Sequence, residues 1–193
     1  MIGLAGGIDK FTANLETLFS AENKLTGRSQ PDISGLIGQY AHGNEPSHHM
    51  AYLFNYTSQP FRTADIARKI MDEFYTTKRD GLIGNEDCGQ MSAWYILSSM
   101  GFYSVNPANG IYVLGSPLVK TATIHHKEGI AFTLKAVGNS KTNIYIQKAE
   151  YNGKPYTKSY ITQEMTVKGG ELKLYMGSKP STTFGVKKED RPN

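Results

Sequence analysis

Apolar positions change their period midway along the chain. In "DKFTANLETLF", Phe11, Leu15, Leu18 and Phe19 recur at i, i+4, i+7 and i+8, the stripe of an amphipathic helix, and Asp9 stands where a cap would. "RTADIARKIMDEFY" sets Ile66, Ile70 and Phe74 on one stripe, with Ala67 and Met71 beside them. "GQMSAWYILSSM" predicts a further helix, stopped by Gly101. "SHHMAYLFNY" predicts another after Pro46, because proline is tolerated in a first turn. Between these, "ISGLIGQYAHGNE" is punctuated by glycine and predicts a loop or short helix.

Beyond Gly110 the runs shorten and many alternate. "IYVLGS", "TATIHHK", "IAFTLKAV", "TNIYIQKAEY", "YTKSYIT", "EMTVK" and "ELKLYM" predict strands. Asn152-Gly153 and Gly169-Gly170 separate such runs as hairpin turns do. Helices followed by strands predict an α+β chain, or two domains divided near Pro107–Gly110. The sequence contains no internal repeat, and the "KKEDRPN" tail is expected to be loose.

Composition narrows the class. A chain of 193 residues, 39% apolar and 20% charged, can bury a core as one domain or two small ones. The one cysteine, Cys88, excludes an internal disulfide framework and a thiolate zinc site. No apolar run approaches the roughly 18 residues of a membrane span. "IGLAGGIDKF" after Met1 lacks the basic and apolar regions of a signal peptide. The net charge of +4 is uneven: residues 1–107 carry 8 basic and 11 acidic side chains, and residues 108–193 carry 13 and 6. That basic excess raises nucleic acid as a partner. The lysines, however, alternate with apolar strand residues, as on a solvated sheet face, and no nucleic-acid motif accompanies them.

Two stretches carry unusual chemistry. "AHGNEPSHHMAYLFNY", residues 41–56, holds three of the five histidines: His42, His48 and His49. Their spacing disfavours zinc, since helical zinc pairs need ligands at i and i+4. Oxygen donors fit better, and Asn44, Glu45, Ser47 and nearby carbonyls suit a hard cation such as calcium. In the plainer reading Asn44 and Ser47 cap a helix and the histidines satisfy local hydrogen bonds. "RDGLIGNEDCGQMSAWY", residues 79–95, is tightened by Gly81, Gly84 and Gly89, and sets Glu86 and Asp87 before a helix carrying Trp94 and Tyr95. Here Asp87 reads as an N-cap and Glu86 as a partner of the helix dipole. Alternatively, loops around Glu45 and Asp87 face one pocket, as glycoside hydrolysis needs. One carboxyl then protonates the leaving oxygen and the other activates water. Trp94 suits either a sugar's C–H face or, by its helical spacing, the core.

These motifs resemble a known family. "DISGLIGQYAHGNEPSHHMAYLFNY", "DGLIGNEDCGQMSAWYILSSMGFYSVNP", "YVLGSPL", "NIYIQKAEYNGKP" and "GGELKLYMGSKP" are similar to the C-terminal part of glycoside hydrolase family 92. Its members are calcium-dependent, exo-acting, inverting α-mannosidases of bacteria. The resemblance covers essentially the whole chain. It implies that residues 1–107 are the last helices of an (α/α)6 catalytic barrel and that residues 108–193 are the β-rich, sandwich-like region after it. The family's N-terminal β-sandwich and first barrel helices have no counterpart, so the chain reads as part of a longer protein.

The resemblance also implies roles. Asp87 takes the place of the base that activates water. The family's second acid, two positions earlier, is here Asn85, an amide that can orient water but cannot take a proton. Glu86 stands between them. His42, Asn44, Glu45, His48 and His49 would line the mannose site, with Asn44 and Glu45 contributing to calcium. The family's general acid, a glutamate, lies upstream of Met1, so the chain alone is expected to be inactive or nearly so. The implied substrate is terminal α-linked mannose, α-1,2 first, on glycans. The implied location of the parent protein is the periplasm or outside the cell. Exposed barrel faces would favour a homo-oligomer. The competing expectation is a carbohydrate-binding or scaffolding β-module without catalysis, resting on the basic, tyrosine-rich second half.

Overall fold

A computed structural model describes residues 1–23, 30 and 32–193. Helix α1 spans Ile8–Ser20 and buries Phe11, Leu15 and Phe19, as its stripe requires. Gly7, not Asp9, occupies the N-cap, and Asp9 sits in the first turn, where its charge meets the helix dipole. Strands β1, Leu36–Ile37, and β2, Tyr40–Ala41, form a small hairpin where a loop or short helix was expected. Its turn docks on the end of α1. Gly38 has φ +61°, and a Cβ there would stand 2.3 Å from Leu18 O. Glycine alone satisfies both demands.

The expected helix through residues 47–56 is instead two 3-10 segments, Glu45–Ser47 and Met50–Tyr56. Ala51 to Asn55 are all buried. A segment enclosed on every side takes its geometry from its neighbours rather than from an amphipathic stripe. Helix α2, Phe61–Phe74, buries Ile66, Ala67, Ile70 and Met71. Helix α3, Gln90–Met100, buries Met91, Trp94 and Ser98, and ends at left-handed Gly101, whose N–H reaches the carbonyls of Leu97 and Ser98.

Strands β3 (Phe102–Tyr103), β4 (Ile111–Leu114), β5 (Thr121–His125), β6 (Ala131–Val137), β7 (Tyr145–Tyr151), β8 (Lys154–Tyr156), β9 (Tyr160–Thr162) and β10 (Gly170–Gly177) complete the chain with helix α4, Gln163–Lys168. They form a sheet ordered β5-β6-β10-β7-β8 and a smaller one ordered β3-β4-β9. Asn152-Gly153 is the expected two-residue turn, both residues at positive φ. Gly169-Gly170 is not a hairpin. It leads from α4 into β10, which runs parallel to β6. "EMTVK" is correspondingly helical, not a strand. Thr162 Oγ1 accepts from Met165 N–H at 3.3 Å, and Glu164 and Lys168 pair along one face. The tail is not loose either, for Asp190 is buried and its carbonyl accepts from Ser159 N–H at 2.8 Å.

The architecture is therefore mixed α+β with two apolar cores. One gathers α1, the 50–56 segment, α2 and α3 around Trp94. The other joins the two larger sheets through Phe132, Leu134, Ile161, Leu172 and Leu174. Adjacent residues of β4 serve both, Val113 the first and Leu114 the second, because strand neighbours point to opposite faces.

Candidate active site

His42 leaves β2 with no exposed surface. Its Nδ1 lies 2.8 Å from the Tyr40 hydroxyl, and its Nε2 lies 2.7 Å from the hydroxyl of Tyr75, the residue that ends α2. The Tyr75 hydroxyl donates to Met91 O at 3.1 Å. A phenol has one proton, so His42 Nε2–H donates to Tyr75 and Tyr40 donates to Nδ1. That assignment satisfies the ring as a neutral imidazole. Burial, aided by His48, lowers its pKa to about 3. Burial also pushes the Tyr40 and Tyr75 phenols well above their usual range.

His48 is enclosed in the same way. Its Nε2 donates to His42 O at 2.9 Å, and its Nδ1 accepts from the Gln90 amide at 3.1 Å. Gln90 Nε2 also reaches the Tyr103 hydroxyl at 3.2 Å. The indole N–H of Trp94 donates to His48 O at 3.2 Å. Burial lowers the His48 pKa against the opposing pull of its bond to the His42 carbonyl. Trp94 is wholly buried, with its ring edge-on to His42 at 4.5 Å between centroids.

Glu45 and the third histidine, His49, lie on a groove of about 330 Å³, together with Gln90, Ala93, Leu97 and Tyr103. Asn44 is exposed beside it. Neither Asn44 nor Ser47 acts as a side-chain cap; the Ser47 hydroxyl donates to Asn44 O at 2.7 Å. Glu45 Oε1 is buried without a partner among the described residues. Such an oxygen is costly, and a hard cation suits it. No group of three His, Cys, Asp or Glu side chains converges among the described residues. A cation at Glu45 would therefore complete its shell from amide, carbonyl and water oxygens, which calcium accepts.

The acidic loop is arranged differently from its simplest reading. Gly89, not Asp87, occupies the N-cap of α3, and the Glu86 carboxylate binds its first turn, accepting the Ser92 N–H at 3.0 Å and the Ser92 hydroxyl at 2.9 Å. Asn85 and Asp87 are exposed. Asp87, Cys88 and Gly89 follow one another in the left-handed region, at φ 47°, 55° and 94°. Two successive non-glycine residues there make a strained turn.

Glycine contacts bring the two loops together. A Cβ on Gly84 would stand 3.2 Å from Gly43 Cα and 3.0 Å from Ser34 Oγ, and one on Gly43 would stand 2.1 Å from Ser34 Oγ. Gln90 and Trp94 add the bonds to His48 already described. Spacing alone had not singled out Ser34, Tyr40, Tyr75, Gln90 or Tyr103. Only Tyr40 left a signal, as an aromatic two positions before His42 on an alternating strand.

Comparison with known proteins places the chain in a family. Residues 1–178 match the family described as the glycosyl hydrolase family 92 catalytic domain. A protein of Arthroderma benhamiae described as an uncharacterized secreted glycosidase is 30% identical over 195 residues, covering 100% of this chain and 23% of that protein. A family GH92 α-mannosidase of Bacteroides thetaiotaomicron, solved in complex with mannoimidazole, superposes with a TM-score of 0.89 at 40% identity, over 96% of this chain and 24% of that one. A family GH92 inverting mannosidase of the same bacterium gives 0.84 at 38% identity, over 98% and 27%. The chain thus spans about a quarter of the length of these relatives. With the family matched over most of its residues, the chain belongs to glycosyl hydrolase family 92.

Proposed function

We propose that this chain forms the base-bearing and cation-bearing part of an inverting exo-α-mannosidase acting on terminal α-linked mannose, α-1,2 first, in glycans. The interlock of the two family motifs at Gly43 and Gly84 carries this reading, because it sets an orphaned carboxylate oxygen and an exposed carboxylate on adjoining loops. Residues 1–107 then correspond to the last helices of an (α/α)6 barrel, and residues 108–193 to the β-rich region after it. The secreted description of the Arthroderma relative supports an extracellular or periplasmic parent. Leu4 and Ile96, 95% and 55% exposed, offer apolar surface to further barrel helices or to a second copy.

Asp87 takes the proton of the attacking water, and the Asn85 amide orients that water. Glu86 holds the loop by binding the first turn of α3 at Ser92. Glu45 and Asn44 would hold calcium, which supplies positive charge for binding sugar hydroxyls. His49 meets the sugar along the groove, while buried His42 and His48 form the platform beneath it. In this reading the general acid is a glutamate from the part of the family's catalytic domain outside this match. Losing such a group typically costs about 100- to 10,000-fold in rate.

Two measurements on the chain test this. Incubated with α-1,2-mannobiose in calcium and in EDTA, it is expected to release no mannose. Calcium-dependent release that Asp87→Asn abolishes would overturn the incompleteness and place the acid at Glu45 or Glu86. Calcium is expected to raise the melting temperature of the wild type and not of Glu45→Gln. Mannoimidazole binding that ignores both Glu45→Ala and Asp87→Ala would favour a carbohydrate-binding β-module instead.

A further inference from the structure

Arg68, on α2, is 7% exposed. Its Nε donates to Ser116 Oγ at 2.9 Å, and its Nη2 donates to Pro117 O and to Asn139 Oδ1, the last at 2.6 Å. All three acceptors are neutral. Two of them are themselves held in place: the Ser116 hydroxyl donates to Ile144 O at 2.6 Å, and the Asn139 amide donates to Leu118 O at 3.1 Å. Among the described residues no carboxylate comes within ion-pair distance of Arg68; Asp72, one turn on along α2, acts on it only through its Coulomb field, and Nη1 makes no hydrogen bond there. A buried guanidinium ordinarily has a counter-charge, because removing a charge from water is costly.

Beside Arg68 lies a cleft of about 570 Å³, lined also by Lys120, Lys141, Asn139, Ser140 and Asp72. Three cations face one carboxylate, a formal charge of +2. Lys120 and Lys141 enter no ion pair among the described residues. The volume falls within the roughly 300–1,000 Å³ of small-ligand sites. The guanidinium is immobilised before any ligand arrives, and its Nη1, which has no acceptor among the described residues, is the donor left for a phosphate oxygen. The lysines add flexible charge at the rim. We infer that this cleft is an oxyanion site for a phosphate dianion, either free or carried on a sugar, with Arg68 as the fixed donor and Lys120 and Lys141 as the closing charges. It shares no lining residue with the Glu45–His49 groove and stands whether or not the mannosidase reading does.

The test is thermal unfolding of the chain in increasing sodium phosphate near neutral pH, against sodium chloride at equal ionic strength. Phosphate is expected to raise the melting temperature saturably and chloride to leave it unchanged. Lys120 and Lys141 are both exposed, so the double variant Lys120→Ala/Lys141→Ala keeps the fold and binds about tenfold more weakly. Asp72→Asn, which removes the one carboxylate, strengthens binding. Mannose 6-phosphate in parallel separates the sources. Tighter binding than inorganic phosphate assigns a sugar-borne group, and equal or weaker binding assigns the free anion. The site is overturned by the absence of a saturable rise in the wild type, or by a rise that the double variant keeps in full.

Discussion

A buried imidazole whose two nitrogens already have partners has no room for a second proton. In the unfolded chain His42 titrates near its ordinary 6.5, and in the fold burial holds it neutral to about 3. The folded value is depressed, so the fold favours the deprotonated ring. The stability this contributes is present above about pH 6.5 and is lost as pH falls from there toward 3. Urea midpoints are expected to drop steadily between neutral pH and pH ~4. His42→Phe should lose about 1–3 kcal/mol at neutral pH, since it strands the Tyr40 hydroxyl, and should show a shallower acid slope. A variant as acid-sensitive as the wild type would exclude His42 as the source. The residue itself stood out in the sequence. Its ring partner Tyr75, 33 positions away, did not, because no local pattern records a contact of that span.

Elements were legible wherever one face alone decides them. The stripes of α1 and α2 mark their buried faces directly, whereas α3 buries Ser98 and leaves Ile96 exposed. Gly101 reads as a helix stop, and the structure gives it a second duty. At φ +103° it is left-handed, and a Cβ there would stand 2.9 Å from Pro117 Cβ. Gly101→Ala is therefore expected to cost about 1–3 kcal/mol, visible as a lower melting temperature with unchanged helix content. Legibility failed where burial is all round, at residues 50–56, and where a short segment carries both patterns, at α4. "EMTVK" alternates like a strand, but its Thr162 cap and Glu164–Lys168 pair belong to a helix.

At the scale of the whole molecule, a few polar anchors join the helical core to the sheets. Asn55 Nδ2 donates to Leu114 O at 2.8 Å and to Ser159 O at 3.0 Å, tying the 50–56 segment to β4 and to the residue before β9. Asn55→Ala removes both bonds, and although Ser159 O keeps the Leu114 N–H at 2.9 Å, the loss is about 1–3 kcal/mol. Because β3, β4 and β9 form one sheet whose side chains serve both cores, unfolding followed by Trp94 fluorescence and by far-UV circular dichroism should coincide. The variant should move both transitions together to lower urea. Separate transitions in the wild type would show that the cores unfold independently.

Periodicity and motif were the sequence's own contribution. Apolar spacing placed α1, α2 and most strands, Gly101 marked the end of α3, and the long collinear runs around Glu45 and Asp87 pointed to family 92. These features are local, because a helix or strand face repeats within a few residues and a motif can be read in a single stretch. Tertiary structure alone decided which histidines are buried and which meets the groove, that Glu86 rather than Asp87 binds the first turn of α3, that Gly43 and Gly84 lock the loops, and that β10 runs parallel to β6. Each of those outcomes is a matter of desolvation or of a partner brought from tens of residues away. Such contacts come into being only when the chain packs.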